Sequence, residues 1–195
     1  MGKTQPRWDG VIVLSGPSGT GKNTLISELL RTRGDLLHSI SCTTRPPRNH
    51  EQNGIQYYFL SKEEFLRKIE ENAFVEYAEV MDHYYGTSFA ELERIHRLGK
   101  IPILDVDVKG ALQLRRRLSK ILLIFIKPPS FEILEERLRQ RKTESQEEME
   151  KRLERAKKEL AYAPYYDKVI VNDDLHRAVR ELSDYLDNYI YGGKT

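Results

Sequence analysis

The sequence VIVLSGPSGTGKNT, residues 11–24, decides the fold of this chain. Its apolar start, Val11 to Leu14, has the length and the β-branching of a strand buried on both faces. A glycine-rich turn and Lys22 follow, and apolar residues then recur at helical spacing over 25–30. A strand, a glycine loop, a lysine and a helix in this order predict a phosphate-binding loop. In such a loop, backbone N–H groups and the lysine hold the phosphates of a nucleotide.

One position departs from the usual pattern of this loop. The pattern G-x-x-x-x-G-K-[ST] has Ser or Thr after the lysine, where the hydroxyl binds Mg²⁺. Here that position is Asn23, and Thr24 supplies a hydroxyl one residue later. The alternative is a turn that only joins a strand to a helix. The agreement of three glycines, a lysine, a strand and a helix favours the phosphate loop.

The composition excludes several classes of function. With 195 residues, 32 Lys+Arg against 30 Asp+Glu and a formal net charge of +2, the chain suits one charge-rich globular domain with inserted subdomains. This balance predicts no nucleic-acid partner and no membrane surface, and the basic cluster Arg115 to Arg117 is typical of a solvated helix face. A single cysteine, Cys42, excludes an intrachain disulfide. Without an apolar signal core or membrane-length segment, we expect a cytoplasmic location.

Outside residues 43–90, strands alternate with helices, which predicts a three-layer α/β domain with a parallel sheet. The predicted strands of this part are 11–14, 37–41, 101–107, 121–126 and 169–171. The predicted helices are 25–33, 108–118 and 174–190, with a charged helical stretch over 131–162 that is broken near 141–145. Residues 43–90 read as a small antiparallel insert. It contains a hairpin with return strand 55–60, a capped helix over 61–71, a strand over 74–80, a turn at 84–87 and a helix over 88–98.

A series of short motifs extends over nearly the whole chain: GPSGTGK, SCTTRPPR, NGIQYYF, FVEYAEV, YYGT, ILDVDVKGA and YDKVIVNDD. In order and spacing the series resembles the guanylate kinases, a family of nucleoside monophosphate kinases. The resemblance implies a P-loop NTPase-type three-layer α/β fold with an inserted α+β subdomain for GMP and a helical lid. It implies one domain with its core at about 8–42, 96–130 and 163–195, the insert at about 43–95 and the lid at about 131–162. The implied reaction transfers a phosphoryl group from ATP to GMP with Mg²⁺.

The resemblance also assigns donor-side residues. The ATP-binding positions are Gly16, Ser18, Gly19, Thr20, Gly21, Lys22, Asn23 and Thr24, with Asn172 beside the adenine. The implied catalytic residues are Lys22, Arg45, Asp105, Arg137, Arg141 and Arg152, the last three of these arginines being in the lid. Asp105 ends an apolar run, as a Walker-B-type aspartate does, and with Asn23 it is the candidate Mg²⁺ ligand, directly or through water. The lid reads Arg141-Lys142-Thr143 where the family commonly has R-G-T.

The acceptor-side residues follow in the same way. The implied GMP-binding positions are Ser41, Arg45, Arg48, Tyr57, Glu76, Tyr85, Thr87 and Asp107. The two arginines have guanidinium groups that match phosphate oxygens bidentately, and the two tyrosines are expected to donate to the same phosphate. Glu76 is the predicted reader of the base, because one carboxylate accepts from the adjacent N1–H and N2–H donors of guanine. Adenine offers an unprotonated N1 at that place, so it is penalised.

Two other functions remain open at the level of sequence. One is a guanylate-kinase-like module that has lost catalysis and binds a phosphopeptide with the same arginines; Asn23 keeps this reading open. The other is a kinase for another monophosphate or a phosphosugar, and Glu76 argues against it. Turnover of GMP with Mg·ATP distinguishes the enzyme from the binding module.

Overall fold

The apolar run at 11–14 forms the middle strand of a five-stranded sheet in the computed structural model, which describes residues 9–80, 82–140 and 146–192. In chain order the strands are β1 (Val11–Ser15), β2 (Leu36–His38), β3 (Ser41–Thr43), β4 (Tyr57–Phe59), β5 (Phe74–Val80), β6 (His83–Ser88), β7 (Ile101–Asp105), β8 (Ile121–Lys127) and β9 (Lys168–Val171). The helices are α1 (Lys22–Thr32), α2 (Lys62–Glu70), α3 (Phe89–Arg97), α4 (Val108–Arg117), α5 (Phe131–Arg139), α6 (Gln146–Leu160) and α7 (Leu175–Ile190).

The main sheet has the order β2-β7-β1-β8-β9, and all of its strand pairs are parallel. Successive side chains of a strand point to opposite faces, so β1 contributes to two cores. Ile12 and Leu14 pack with α1 and α7 on one face, while Val11 and Val13 pack with α4 and α3 on the other. The predicted three-layer α/β architecture with a parallel sheet is therefore confirmed.

A second, four-stranded sheet of order β4-β3-β6-β5 forms the predicted insert. Its small core contains Cys42, Phe65 and Phe74, and the two phenyl rings stack with centroids 4.3 Å apart. The predicted helix start at Ser61 is confirmed, because the Ser61 and Glu64 side chains form a reciprocal capping box.

Three details of this region were predicted wrongly. The single strand expected over 37–41 is two strands, β2 in the main sheet and β3 in the second sheet. The predicted hairpin is also wrong, because β4 pairs with β3 in parallel and the second sheet is therefore mixed. The Asn53-Gly54 sequence forms only a local turn, in which the Gly54 N–H donates to Tyr57 O at 2.8 Å. The third error is the turn at 84–87, which lies inside β6.

The helices α5 and α6 occupy the stretch that is expected to form the lid. Leu134 and Leu138 of α5 pack against Met149, Leu153 and Ala156 of α6. Both helices have polar outer faces, as the charged sequence of this stretch predicts. Within the residues described, none of the helices combines the length and apolar character needed to cross a membrane.

Candidate active site

The loop between β1 and α1 has the backbone of a phosphate-binding loop. Gly16, Gly19 and Gly21 all have positive φ, at 139°, 89° and 83°. A Cβ at residue 16 would lie 2.1 Å from Ile126 O, so that turn needs glycine for space as well as conformation. Helix α1 begins directly after Gly21 without a side-chain cap, so the N–H groups of its first turn remain available to an anion.

Lys22 lies between this loop and the end of β7. Its ammonium donates to Gly16 O at 2.7 Å and to Pro17 O at 3.3 Å, and it is 3.9 Å from Asp105 Oδ1. Burial raises the pKa of Asp105, and the nearby Lys22 charge opposes that rise. The lysine of the phosphate loop and the strand-terminal aspartate therefore lie close together.

A cavity of about 880 Å³ opens above these groups. Its lining includes seven residues predicted from sequence, namely Gly16, Ser18, Lys22, Asn23, Asp105, Asp107 and Arg152. The remaining lining residues are Val106, Glu148, Lys151, Arg155, Ala156 and Glu159. Asn23 therefore faces the same space as Asp105, whereas the exposed Thr24 lies outside this lining. Phosphate-loop groups, four carboxylates and two lid arginines surround one volume large enough for nucleotide phosphates.

Three predicted donor-side residues hold the loop in place instead of lining this cavity. The buried Asn172 side chain donates to Thr20 O at 2.7 Å, and its nitrogen would be 2.6 Å from a Cβ at Gly21. Arg137 donates from both terminal nitrogens to Asn172 O at 3.2 Å. The hydroxyl of Thr20 is bonded within the loop, to Pro17 O at 2.9 Å. These contacts connect the lid helix α5 to the phosphate loop through the end of β9.

Glu76 lies on β5, the edge strand of the second sheet that packs against α4, and is only 6% exposed. The Thr87 hydroxyl donates to Glu76 Oε1 at 2.7 Å. Burial raises the pKa of Glu76 to about 7; the Thr87 hydrogen bonds oppose the rise and the Asp107 charge adds to it. Glu76, Thr87 and Asp107, three of the predicted GMP-binding residues, are thus close enough to interact.

The first turn of α4 completes this group. The Asp107 side chain caps the helix, accepting from Gly110 N at 2.8 Å. A Cβ at Gly110 would lie 3.1 Å from Glu76 Oε2 and 3.5 Å from Asp107 Oδ1. Glycine at position 110 therefore leaves space between the carboxylates of Glu76 and Asp107. The sequence signal for this glycine is the KGA motif, to which the sequence analysis gave no role.

Helix α4 also fixes the position of the strand that carries Glu76. The Gln113 side-chain amide accepts from Tyr77 N at 3.3 Å and donates to Tyr77 O at 3.1 Å. Arg117 donates to Phe74 O at 2.7 Å, and Arg115 pairs with Asp167 at 2.9 Å. Two members of the basic cluster thus have structural partners, which goes beyond the predicted solvated face.

The predicted phosphate-gripping residues form a second group on the insert. The Arg45 guanidinium lies 5.5 Å from the centroid of the Tyr57 ring, and the Tyr57 and Tyr85 rings are 6.1 Å apart. Glu51, which sequence reasoning missed, accepts from Arg45 Nη2 at 2.9 Å and from Arg48 N at 2.8 Å. A carboxylate therefore holds Arg45 in place and organises the arginine loop.

The remaining predicted residues lie around these groups. Ser41 begins β3 beside Tyr57, its register partner in β4. The Arg48 side chain is exposed, and Arg141 lies outside the described residues. In the lid, Arg152 donates to Ser18 Oγ at 2.7 Å and Arg155 donates to Asp107 Oδ2 at 3.3 Å.

The comparisons with known proteins agree with this site. The family model described as guanylate kinase matches residues 9–189. The chain is 49% identical to the guanylate kinase of Porphyromonas gingivalis over 183 residues, covering 92% of this chain and 97% of the relative. It is 46% identical to that of Neisseria gonorrhoeae over 176 residues, covering 90% and 86%. The crystal structure of guanylate kinase from Anaplasma phagocytophilum superposes with a TM-score of 0.74 at 32% identity, covering 95% of this chain and 87% of the other. With its phosphate loop, its buried carboxylate and a match over nearly its whole length, the chain belongs to the guanylate kinase family.

Proposed function

We propose that the enzyme transfers the γ-phosphoryl group of ATP to GMP through the residues that surround the cavity of about 880 Å³. The products are ADP and GDP. One observation supports this assignment most strongly. Lys22 and the phosphate loop line the same cavity as Asp107, and Asp107 neighbours the buried Glu76. Donor and acceptor groups placed on its two sides would meet between them, and phosphoryl transfer depends mainly on such positioning and on charge neutralisation.

On the donor side, Lys22 and the loop N–H groups bind the ATP phosphates. In the structure the Lys22 ammonium donates to the carbonyls of Gly16 and Pro17. The phosphate oxygens of ATP are stronger, charged acceptors and replace these carbonyls when the nucleotide binds. Arg152 reaches the loop from the lid and adds positive charge where the transferred group is most negative.

The residues at the end of β7 and the start of α1 suit Mg²⁺. Asp105 offers a carboxylate and Asn23 an amide oxygen at the same cavity. Mg²⁺ prefers oxygen ligands and is commonly held by one or two carboxylates together with substrate phosphates. When bound with ATP, the ion neutralises charge on the transferring group. Among the described residues there is no group of three or more His, Cys, Asp or Glu that could hold a metal ion.

On the acceptor side, Glu76 selects guanine and the arginine loop binds the monophosphate. Thr87 holds one Glu76 oxygen, so the carboxylate is oriented before the base arrives. The GMP phosphate takes the place of Glu51 as the partner of Arg45, because a dianion competes well for a guanidinium. No strong base is needed, since the attacking phosphate is already anionic. Arg137, Arg141 and Arg152 are assigned to the closing lid, and Asn172 to the support of the loop near the adenine.

A coupled assay of ADP release tests the proposal. We expect turnover with GMP and Mg·ATP, at least 100-fold weaker turnover with AMP, and loss of turnover in Lys22→Met without loss of folding. Lys158→Gln is the matched control, because Lys158 is an exposed lysine on the lid helix away from the cavity. Binding of GMP without turnover at millimolar nucleotide would support the phosphopeptide-binding module instead; no observation so far favours that module.

Three further points stay predictions. We expect the enzyme to act in the cytoplasm and to have no nucleic-acid partner. We also expect that the core, the insert at about 43–95 and the lid at about 131–162 move as separate units during the reaction. Measuring the distance between labels on the insert and the core, with and without both nucleotides, tests the last point.

A further inference from the structure

The lid helix α6 contacts both sides of the cavity through two arginines one turn apart. Arg152 donates to Ser18 Oγ of the phosphate loop at 2.7 Å. Arg155 donates to Asp107 Oδ2 at 3.3 Å, at the start of α4. Residues three apart on a helix lie on the same face, so one rigid element reaches the donor loop and the acceptor side together.

Asp107 is the point at which this contact meets the acceptor site. Its Oδ1 accepts from Gly110 N at 2.8 Å, and its Oδ2 faces Arg155. A carboxylate has about four acceptor positions, so both contacts leave room for a donor from a bound base. A Cβ at Gly110 would lie 3.1 Å from Glu76 Oε2 and 3.5 Å from Asp107 Oδ1, so the two carboxylates border the same small space. Arg155 therefore touches the edge of the space assigned to guanine.

Arg155 is itself held on the lid by a second carboxylate. Its Nε donates to Glu159 Oε1 at 2.8 Å, one turn along the same helix. The Glu159 side chain is 16% exposed and the Arg155 side chain 55% exposed. The pair fixes the direction of the guanidinium, while the exposure of Arg155 limits the strength of its contact with Asp107.

We propose that Arg155 is a positioning residue that links closure of the lid to occupation of the acceptor site. This inference rests on the proposed function, because it assumes that GMP binds beside Asp107. The Arg155–Asp107 contact is already formed in the described arrangement, and we expect it to hold α6 over the cavity and to orient that carboxylate for guanine. Linkage then requires the reverse: GMP held at Asp107 favours the closed lid and tightens binding of the donor nucleotide by the same factor.

The test measures this mutual factor directly by calorimetry on the full chain. GMP is titrated into the protein alone and into the protein saturated with ADP, which occupies the donor site without transferring a phosphoryl group. The ratio of the two dissociation constants is the coupling factor. We expect ADP to tighten GMP binding in the wild type, and Arg155→Gln to reduce the coupling factor by about two- to five-fold, the range of a partly exposed ion pair.

Three variants make the result specific. Lys158→Gln removes the same charge from an exposed position of α6 and should leave the coupling factor unchanged. Arg155→Lys keeps the charge without the guanidinium fork and should restore part of the coupling. Glu159→Gln removes the other partner of Arg155 and should change the factor less than Arg155→Gln does. A merely structural role would lower the thermal unfolding temperature without changing the coupling factor.

The calorimetric results separate a failure of the Arg155 linking role from a failure of the proposed function. An equal coupling factor in wild type and Arg155→Gln, or no coupling in the wild type, overturns the linking role while leaving the guanylate kinase reaction intact. Failure of the wild-type chain to bind GMP at all would instead overturn the proposed function together with this inference. Equal losses in Arg155→Gln and Lys158→Gln would assign the effect to the overall charge of the lid.

Discussion

Substituting Glu76 by Gln should stabilise the protein and impair its use of GMP. In the folded protein the pKa of Glu76 is raised from its ordinary value of 4.5 to about 7, chiefly by burial. Between these values the unfolded chain has lost a proton that the folded chain keeps, so stability falls as the pH rises. The full penalty is reached above pH 7. At about 1.4 kcal/mol for each pKa unit it is roughly 3 kcal/mol, which glutamine, being uncharged, avoids.

The same titration controls recognition of the base. Only the ionised carboxylate accepts from both donors of guanine, so kcat/KM for GMP should fall about tenfold for each pH unit below 7. At pH 8, Glu76→Gln should lose a charged hydrogen bond that is worth about 1.5–3 kcal/mol, a loss of about 10- to 150-fold in kcat/KM. Discrimination against AMP should weaken in the variant, because glutamine presents one acceptor and one donor.

Two measurements check this prediction. Urea unfolding of both proteins from pH 5 to pH 8.5 should show the variant gaining relative stability as the pH rises. Steady-state kinetics over the same range give the second profile, and Glu76→Gln also controls for the GMP phosphate, whose own second pKa of about 6 titrates in both proteins. Parallel kinetic profiles for wild type and variant, or equal stabilities at pH 8.5, would refute the assignment of a buried, base-reading carboxylate.

Three further substitutions follow from the site. Gly110→Ala should change the free energy of unfolding by less than about 1 kcal/mol, because the better helix propensity of alanine offsets the crowding of its Cβ against neighbouring atoms. The same Cβ should raise KM for GMP several-fold. The control is Gly34→Ala, where a Cβ meets no atom within 4 Å. Asn23→Ser should lower the Mg²⁺ concentration needed for half-maximal rate, and superimposable metal titrations would exclude a metal role for this residue. Glu91→Ala should lower the free energy of unfolding by about 1–3 kcal/mol, since the buried carboxylate accepts from Ile40 N at 2.9 Å. The control Glu93→Ala removes an exposed ion pair and should cost less than about 0.5 kcal/mol. Equal losses of stability in the two variants would contradict this reasoning.

The errors in the sequence-based prediction have physical causes. The chain changes sheets at Ile40, and no local pattern marks the change; there Ile40 N donates to Glu91, a residue 51 positions further along. The parallel direction of β4 was missed because Asn53-Gly54 favours the tight turn of a hairpin. The turn that forms is bonded only to the nearby Tyr57, so it does not determine how β4 pairs with a more distant strand.

Local sequence determined the features whose cause is local. The phosphate loop requires glycines at positive φ, a lysine and an adjoining helix, and all of these lie within residues 11–24. The apolar strands and the capping box at Ser61 are likewise short-range signals. The order of the motifs was sufficient to indicate the family.

Only the tertiary structure decided which residues act together. It placed Arg137 on the carbonyl of Asn172, gave Arg45 the partner Glu51, and brought Arg155 to Asp107 across 48 residues of chain. Burial, which raises the pKa of Glu76, likewise depends on the packing of distant segments. Charges and hydrogen-bond partners act over a few ångströms, and which groups come that close is set by how the helices and sheets pack.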